Sequence, residues 1–155
     1  MQIVVENGKI SRHPTVTEDA ILGFFDEFRF LSNFEVCDVS MPDGNIYPSS
    51  ENAYMAYKTL DVTLREPFLS YSPSQARKAG RVIQLRTDWE QVKLDVMREC
   101  LVQKFKNPDL MAKLKATAPK RLEETNNWSD RWWGVCYGKG ENMLGKLLME
   151  IRDAQ

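Results

Sequence analysis

Residues Tyr47 to Lys58 place one change of backbone conformation at a defined point of the chain. Tyr47-Pro48 ends an extended run. Ser49 or Ser50 then starts a helix, its hydroxyl accepting from backbone N–H groups that a first turn leaves without partners. Glu51 falls in that first turn, where a carboxylate suits the positive end of the helix dipole. Glu51, Tyr54, Met55 and Lys58 recur at three- and four-residue steps, so they share one face. That face carries an acid, a ring, a thioether and an amine, whereas a plain core stripe is apolar throughout. The simpler alternative, which spacing alone favours, is a helix end whose Glu51 caps and whose Lys58 snorkels to water.

Other helices follow from caps and period. Ser72-Pro73 opens a short one that Gly80 is expected to stop. Asp88 begins the longest, to about Phe105, with Trp89, Val92, Val96, Cys100 and Leu101 at a 3.6-residue period. Trp89 is a core ring or the wall of a ligand pocket. Asn107-Pro108 starts a helix to about Ala116, and Pro119 ends that pattern. The last helix is expected over Glu141–Ile151, with Met143, Leu144, Leu147, Leu148 and Ile151 as its apolar face and Arg152 beginning a polar tail. Short strands are expected at Met1–Val5, before a Glu6-Asn7-Gly8-Lys9 turn, and at Ile21–Phe25. A hairpin is expected over Cys37–Met41 and Asn45–Tyr47, turning at Pro42-Asp43-Gly44. Residues 11–19 and the polar stretch 61–66 carry no assigned element. The fold class is α+β: a single compact, mostly helical domain over residues 1–155 with a few short antiparallel strands.

Composition narrows the function. A chain of 155 residues is long enough to bury a core. With 21 basic and 22 acidic side chains the formal net charge is −1, so no global field draws in long nucleic acid. Cys37, Cys100 and Cys136 are odd in number and widely spaced, which argues for a reducing compartment without a disulfide framework. His13 is the only histidine, so a zinc site or a histidine-based triad is not expected. No apolar run reaches membrane-span length and no leader pattern is present, so the expected location is the cytoplasm.

Two stretches mix rings with polar groups. In Phe28–Phe34 the aromatics are interrupted by Arg29, Ser32 and Asn33, which fits either a core satisfying its own backbone or a pocket wall. From Leu122 to Val135, Trp128, Trp132 and Trp133 sit beside Glu123, Glu124 and Asp130. Indoles stack on flat bases, and carboxylates among rings serve as general acids or bases. The same stretch also reads as a Trp-rich core loop with surface acids. Arg81 and Arg86 suit a phosphate through forked hydrogen bonds, although a solvated basic face is the commoner outcome.

These stretches together resemble the NADAR, or YbiA-like, family. The matching residues are Phe30-Leu31-Ser32-Asn33-Phe34 and Tyr47-Pro48-Ser49-Ser50-Glu51-x-Ala53-Tyr54-x-x-x-Lys58. They continue with Ser72-Pro73, Ala76-x-Lys78-x-Gly80-Arg81, Arg86-x-Asp88-Trp89 and Leu122-x-Glu124. Trp128-x-Asp130-x-x-Trp133-Gly134-Val135 and Gly140-x-Asn142-x-Leu144-Gly145-x-x-Leu148-Met149 complete the series, which spans about residues 22–152. Asn52 and Met55 depart from the His and Gln frequent in the family, which bears on substrate choice.

The resemblance implies an N-glycosidase, without metal or cofactor, that cuts a ribosyl C1–N bond. The implied substrates are a small riboflavin-pathway ribosylamino nucleotide or an ADP-ribosylated guanine in nucleic acid. It implies catalytic roles for Glu51, Lys58, Asp130 and Glu124. Lys58 is expected to attack the sugar carbon through an imine, and Trp89 and Trp133 to sandwich the base. Arg29, Phe30, Ser32, Asn33, Tyr54, Arg81, Trp128, Gly134 and Asn142 are the further substrate-binding candidates. The rival reading is a sensor that binds ADP-ribose or NAD without cleaving it.

Overall fold

The computed structural model describes residues 5–6, 9–10 and 12–154. In chain order the strands and helices are β1 (Val5–Glu6), β2 (Lys9–Ile10), β3 (Thr15–Val16), β4 (Ala20–Leu22), β5 (Val39–Ser40), β6 (Ile46–Tyr47), α1 (Ser50–Ala56), α2 (Val62–Arg65), α3 (Pro73–Val82), α4 (Trp89–Lys104), α5 (Pro108–Ala116), β7 (Arg121–Glu123), β8 (Thr125–Asn126), β9 (Val135–Cys136) and α6 (Met143–Asp153). Two 3-10 turns, Asp26–Leu31 and Glu66–Leu69, complete the set. Residues 1–4 of the expected Met1–Val5 strand and the Asn7-Gly8 centre of its turn lie outside the described residues; Val5 falls in β1, which pairs antiparallel with β2. The α+β class holds, with helix predominating. The chain divides into two compact units, Asn33–Leu110 and Met1–Ser32 with Met111–Gln155.

In the unit Asn33–Leu110, all seven residues of α1 are buried, so it is a central helix rather than an amphipathic surface one. It packs against α3 and α4. The β5–β6 hairpin pairs Val39 with Tyr47. Ser72 and Gln75 form the capping box that starts α3. Gly80 does not stop that helix, which runs on to Val82. Its role is spatial: a Cβ there would lie 2.2 Å from Met55 Sδ, so the glycine lets α3 lie against α1. The stretch at 61–66 is ordered after all. Asp61 caps α2 by accepting from the Thr63 and Leu64 N–H groups, a signal that local polarity obscured.

In the other unit, β3 and β4 pair antiparallel, with Thr15 opposite Leu22. β4 and β7 pair parallel, with Ile21 opposite Leu122. β3 falls where no element was expected, because two residues are too few to show a period. β4 ends before Phe25 because Gly23 takes φ 93° and turns the chain. α6 lies directly on β7: a Cβ on Gly145 would sit 2.1 Å from the Leu122 carbonyl. Leu144, Leu147 and Leu148 fill the contact, each worth about 1.5–3 kcal/mol of burial. α6 starts after Asn142, whose φ of 53° is left-handed, rather than at Glu141. Arg152 is not a tail residue. It is buried and donates to the Lys120 carbonyl at 2.6 Å and to Thr117 Oγ1 at 3.2 Å.

Candidate active site

The helix α1 begins at Ser49, whose Oγ accepts from the Asn52 N–H at 3.0 Å. Glu51 is therefore not the cap. Its backbone N–H donates to the Asn33 carbonyl at 3.0 Å, and its side chain is buried at 7% exposure. Asn33 is fixed from two sides, by Ser50 Oγ donating to its Oδ1 at 2.8 Å and by its own Nδ2 against Met97 Sδ at 3.7 Å. One face-step along, the Tyr54 ring packs on Trp89 at 5.0 Å, and both rings are buried. Trp89 thus takes a core contact with Tyr54 in addition to any ligand role.

Lys58 follows the end of α1, and its backbone carbonyl accepts from the Arg86 N–H at 2.7 Å. Its Nζ turns inward and donates to the Gly80 carbonyl at 3.1 Å. Burial pushes the Lys58 amine below the ordinary lysine range; the Glu51 carboxylate opposes that shift and the Arg81 guanidinium adds to it. Glu51 also reaches α4 electrostatically, adding to the burial that drives the Cys100 thiol up. A buried carboxylate and an exposed guanidinium therefore both act on the half-buried Lys58 amine within this unit. Arg86 is not available as the second arm of a phosphate fork. It grips Asp88 through two bonds, 2.6 and 3.1 Å long, and that grip holds the Asp88 carboxyl below the usual range.

The second constellation lies in the other unit. Parallel pairing of β8 and β9 sets Thr125 opposite Val135 and closes the tryptophan loop. Asn126 organises it, a role that sequence reading did not assign. Its Oδ1 accepts from the Trp128 and Asp130 N–H groups at 3.3 and 3.1 Å, and its Nδ2 donates to the Asp130 carbonyl at 2.8 Å. Asp130 Oδ1 accepts from the Trp132 and Trp133 N–H groups at 3.2 and 2.9 Å, so this carboxylate shapes the loop. Trp128 meets Phe25 edge-on at 6.4 Å, and Trp132 and Trp133 meet likewise at 6.3 Å.

Gly134 is buried where a Cβ would lie 2.3 Å from the Glu124 carbonyl. Asn142, expected to touch substrate, has both ends of its amide on backbone: Oδ1 accepts from the Glu124 N–H at 3.0 Å and Nδ2 donates to the Leu122 carbonyl at 2.9 Å. It therefore holds the backbone of β7 and of Glu124 in place. Arg29 is exposed, Phe30 is buried beside the Lys113 amine, and Ser32 is half-buried at the end of the first 3-10 turn. The buried Glu123 is held by Arg121 and by the Thr125 hydroxyl. Among the described residues no group of three or more His, Cys, Asp or Glu is placed to hold a metal, and no helix is long and apolar enough to cross a membrane.

Residues 19–154 match the NADAR domain. The chain belongs to the NADAR family. It is 42% identical over 147 residues to the N-glycosidase YbiA of Escherichia coli, covering 89% of this chain and 90% of that protein. The solution structure of E. coli YbiA superposes with a TM-score of 0.78 at 36% identity, covering 99% of this chain and 92% of that one. A riboflavin biosynthesis protein of Vibrio vulnificus is 36% identical over 128 residues, which are 80% of this chain and 35% of that protein.

Proposed function

We propose that this NADAR chain is an N-glycosidase that hydrolyses a ribosyl C1–N bond, and that Glu51 in the first turn of α1 and Lys58 just past its end carry the chemistry. The reading is supported most by Lys58, a half-buried amine held at the Gly80 carbonyl and electrostatically coupled to buried Glu51. It is supported too by the N-glycosidase names of its relatives.

The steps follow from ordinary chemistry. A lowered pKa leaves more Lys58 as free amine near neutrality, and a free amine is a nucleophile. It attacks C1 of the sugar as the C1–N bond breaks, and the leaving nitrogen takes up a proton. The product of that displacement is a glycosylamine on Lys58. Its nitrogen lone pair expels the ring oxygen from C1, and that oxygen takes up a proton the amine has lost. Water hydrolyses the resulting imine to return the amine and the free sugar. Positive charge grows on the sugar during cleavage, and the Glu51 carboxylate stabilises it.

The resemblance assigns Glu124 and Asp130 to proton transfer or to ribose hydroxyls, and Trp133 with Trp89 to the base. It assigns Ser32, Asn33 and Arg81 to sugar and phosphate. The substrate is a small ribosylamino nucleotide, favoured by the riboflavin-biosynthesis relatives. ADP-ribosylated guanine is the second candidate, favoured by the aromatic loop; near-neutral charge makes extended duplex a poor ligand. A base linked within a strand would have to be exposed or flipped out.

The test incubates the protein with ribosylaminopyrimidine phosphate and, separately, with ADP-ribosylated guanosine, and follows released base by mass spectrometry. Borohydride added during turnover is expected to trap a sugar on Lys58. Lys58→Ala should abolish both the trap and turnover, and Glu51→Gln should lower turnover by about 10²-fold. Bound but uncut ligand would identify a sensor. Normal turnover by Lys58→Ala would remove the imine.

A further inference from the structure

The amine of Lys58 is aimed by a neighbouring helix. Its acceptor, the Gly80 carbonyl, belongs to the last turn of α3, which ends at Val82. The chain leaves the helix at Ile83, with φ −69° and ψ 142°, so carbonyls of that turn have no helical N–H to receive. Such oxygens carry the negative end of the helix dipole and favour a cation or a polar N–H donor. The next residue, Arg81, brings its own positive charge to the same place.

The approach of α3 to α1 is set at one point. A Cβ on Gly80 would sit 2.2 Å from Met55 Sδ, 2.8 Å from its Cγ and 2.9 Å from its Cβ. The sulfur could swing aside, but the Met55 Cβ is fixed to the backbone of a fully buried helix. Carbon atoms rest about 3.5–4 Å apart. Any side chain at Gly80 therefore pushes the two helices apart by up to about 1 Å, and the carbonyl moves with its helix. The 3.1 Å bond to Lys58 then opens beyond hydrogen-bond range.

We propose that Gly80 is a positioning residue for Lys58: its missing side chain, fitted against Met55, sets the helix spacing at which its carbonyl orients the amine. The assignment deepens the proposed function and rests on it for the role of Lys58, but the placing of the amine is measurable without substrate. The charged groups acting on that amine are Glu51 from α1 and Arg81 from α3; on the approach to α4, Arg86 is already paired with Asp88.

The experiment compares wild type, Gly80→Ala and the double variant Gly80→Ala/Met55→Gly, in which loss of the whole Met55 side chain, Cβ included, makes room for the added methyl. The Lys58 amine is followed by NMR after reductive methylation with [13C]formaldehyde, its signal assigned with Lys58→Arg. Turnover is measured on whichever nucleoside the wild type cleaves. Gly80→Ala is expected to lower kcat by about 10- to 100-fold with KM little changed, as a misplacement of about 1 Å does. Its Lys58 titration should move up toward the ordinary lysine value, because separating the helices hydrates the amine. The double variant should recover both readouts to within about threefold.

If Gly80→Ala does not fold, the double variant alone decides: wild-type titration and turnover support the assignment, and a shifted titration with low turnover overturns it. An unchanged Lys58 titration in folded Gly80→Ala overturns it also. Normal turnover by Lys58→Ala, with the Gly80→Ala shift still present, would defeat the imine mechanism and leave the positioning of the amine standing.

Discussion

Asn52 offers a direct test of how α1 is held. The residue is fully buried, and its amide is engaged at three points. Nδ2 donates to the Phe68 carbonyl at 2.9 Å and to the Tyr71 carbonyl at 2.8 Å, while Oδ1 accepts from Ser49 Oγ at 2.6 Å. It thus ties α1 to the 3-10 turn at Glu66–Leu69. Asn52→Ala removes both donors and the acceptor but keeps the helix cap, since that bond uses the backbone N–H of residue 52. Stranding the Phe68 acceptor costs about 1–3 kcal/mol. The Tyr71 carbonyl, half-open to water, and the Ser49 hydroxyl add about 1 kcal/mol each. The expected loss is about 3–5 kcal/mol, a large part of the roughly 5–15 kcal/mol that holds a domain folded. Urea unfolding followed by tryptophan fluorescence measures it, with an unchanged m-value showing that the states compared are the same. Asn52→Asp should be worse than Ala, because it points carboxylate oxygens at carbonyls. A loss below about 1 kcal/mol, or an Asp variant as stable as the Ala variant, would refute the claim that this amide anchors the helix.

Two further outcomes follow from buried polar groups. Burial alone would raise the Asp43 carboxyl, but hydrogen bonds from the Tyr47 hydroxyl and from Asn45, with the Arg65 guanidinium at 3.3 Å, bring it below its ordinary 3.8. A carboxyl depressed in the folded state contributes stability that is complete above its unfolded value and is lost as pH falls through the folded one. Asp43→Asn should therefore flatten the decline in stability below about pH 4, read by thermal melts from pH 2 to 7; an unchanged acid limb would show that the group does not couple to folding. Lys58→Met keeps the length of the side chain without the charge. It is expected to abolish turnover while leaving the melting temperature equal or higher, and a clear drop in melting temperature would mean that the amine is there for stability.

What the sequence made legible is what local chemistry decides. Ser72-Pro73 specifies a helix start between two adjacent residues, and Asn107-Pro108 does the same for α5. The apolar period of α4 and α6 places their buried faces. The rest depends on distant partners. Two-residue strands such as β3 have no period, and the parallel pairing of β4 with β7 joins segments from opposite ends of the chain. The asparagines show the limit most clearly. In the sequence Asn142 reads as a substrate contact, Asn52 bears on substrate choice and Asn126 has no assigned role, yet each bridges backbone groups that only the fold brings near. The departure from the family at Asn52 suggested altered substrate choice; its amide instead faces the Phe68 and Tyr71 carbonyls, so its first consequence is structural.

Two meanings stood open in the sequence for Glu51 and Lys58, and their surroundings in the fold differ from the ordinary one. A cap and a snorkelling amine would both be ordinary ways to end a helix. Ser49 takes the cap, and the Lys58 amine turns inward to Gly80 rather than outward to water. Neither residue therefore performs the routine task that its position allowed. Burying ionisable groups carries a desolvation cost that their mutual attraction seldom exceeds. A helix made for stability alone would place Leu or Met at both positions. A buried carboxylate in the first turn of α1 and an amine just past its end, lowered by burial, support the proposed site, because such perturbed groups gather where proton or nucleophile chemistry is done. Glu51 and Lys58 are thus where loss of chemistry and loss of stability are expected to separate.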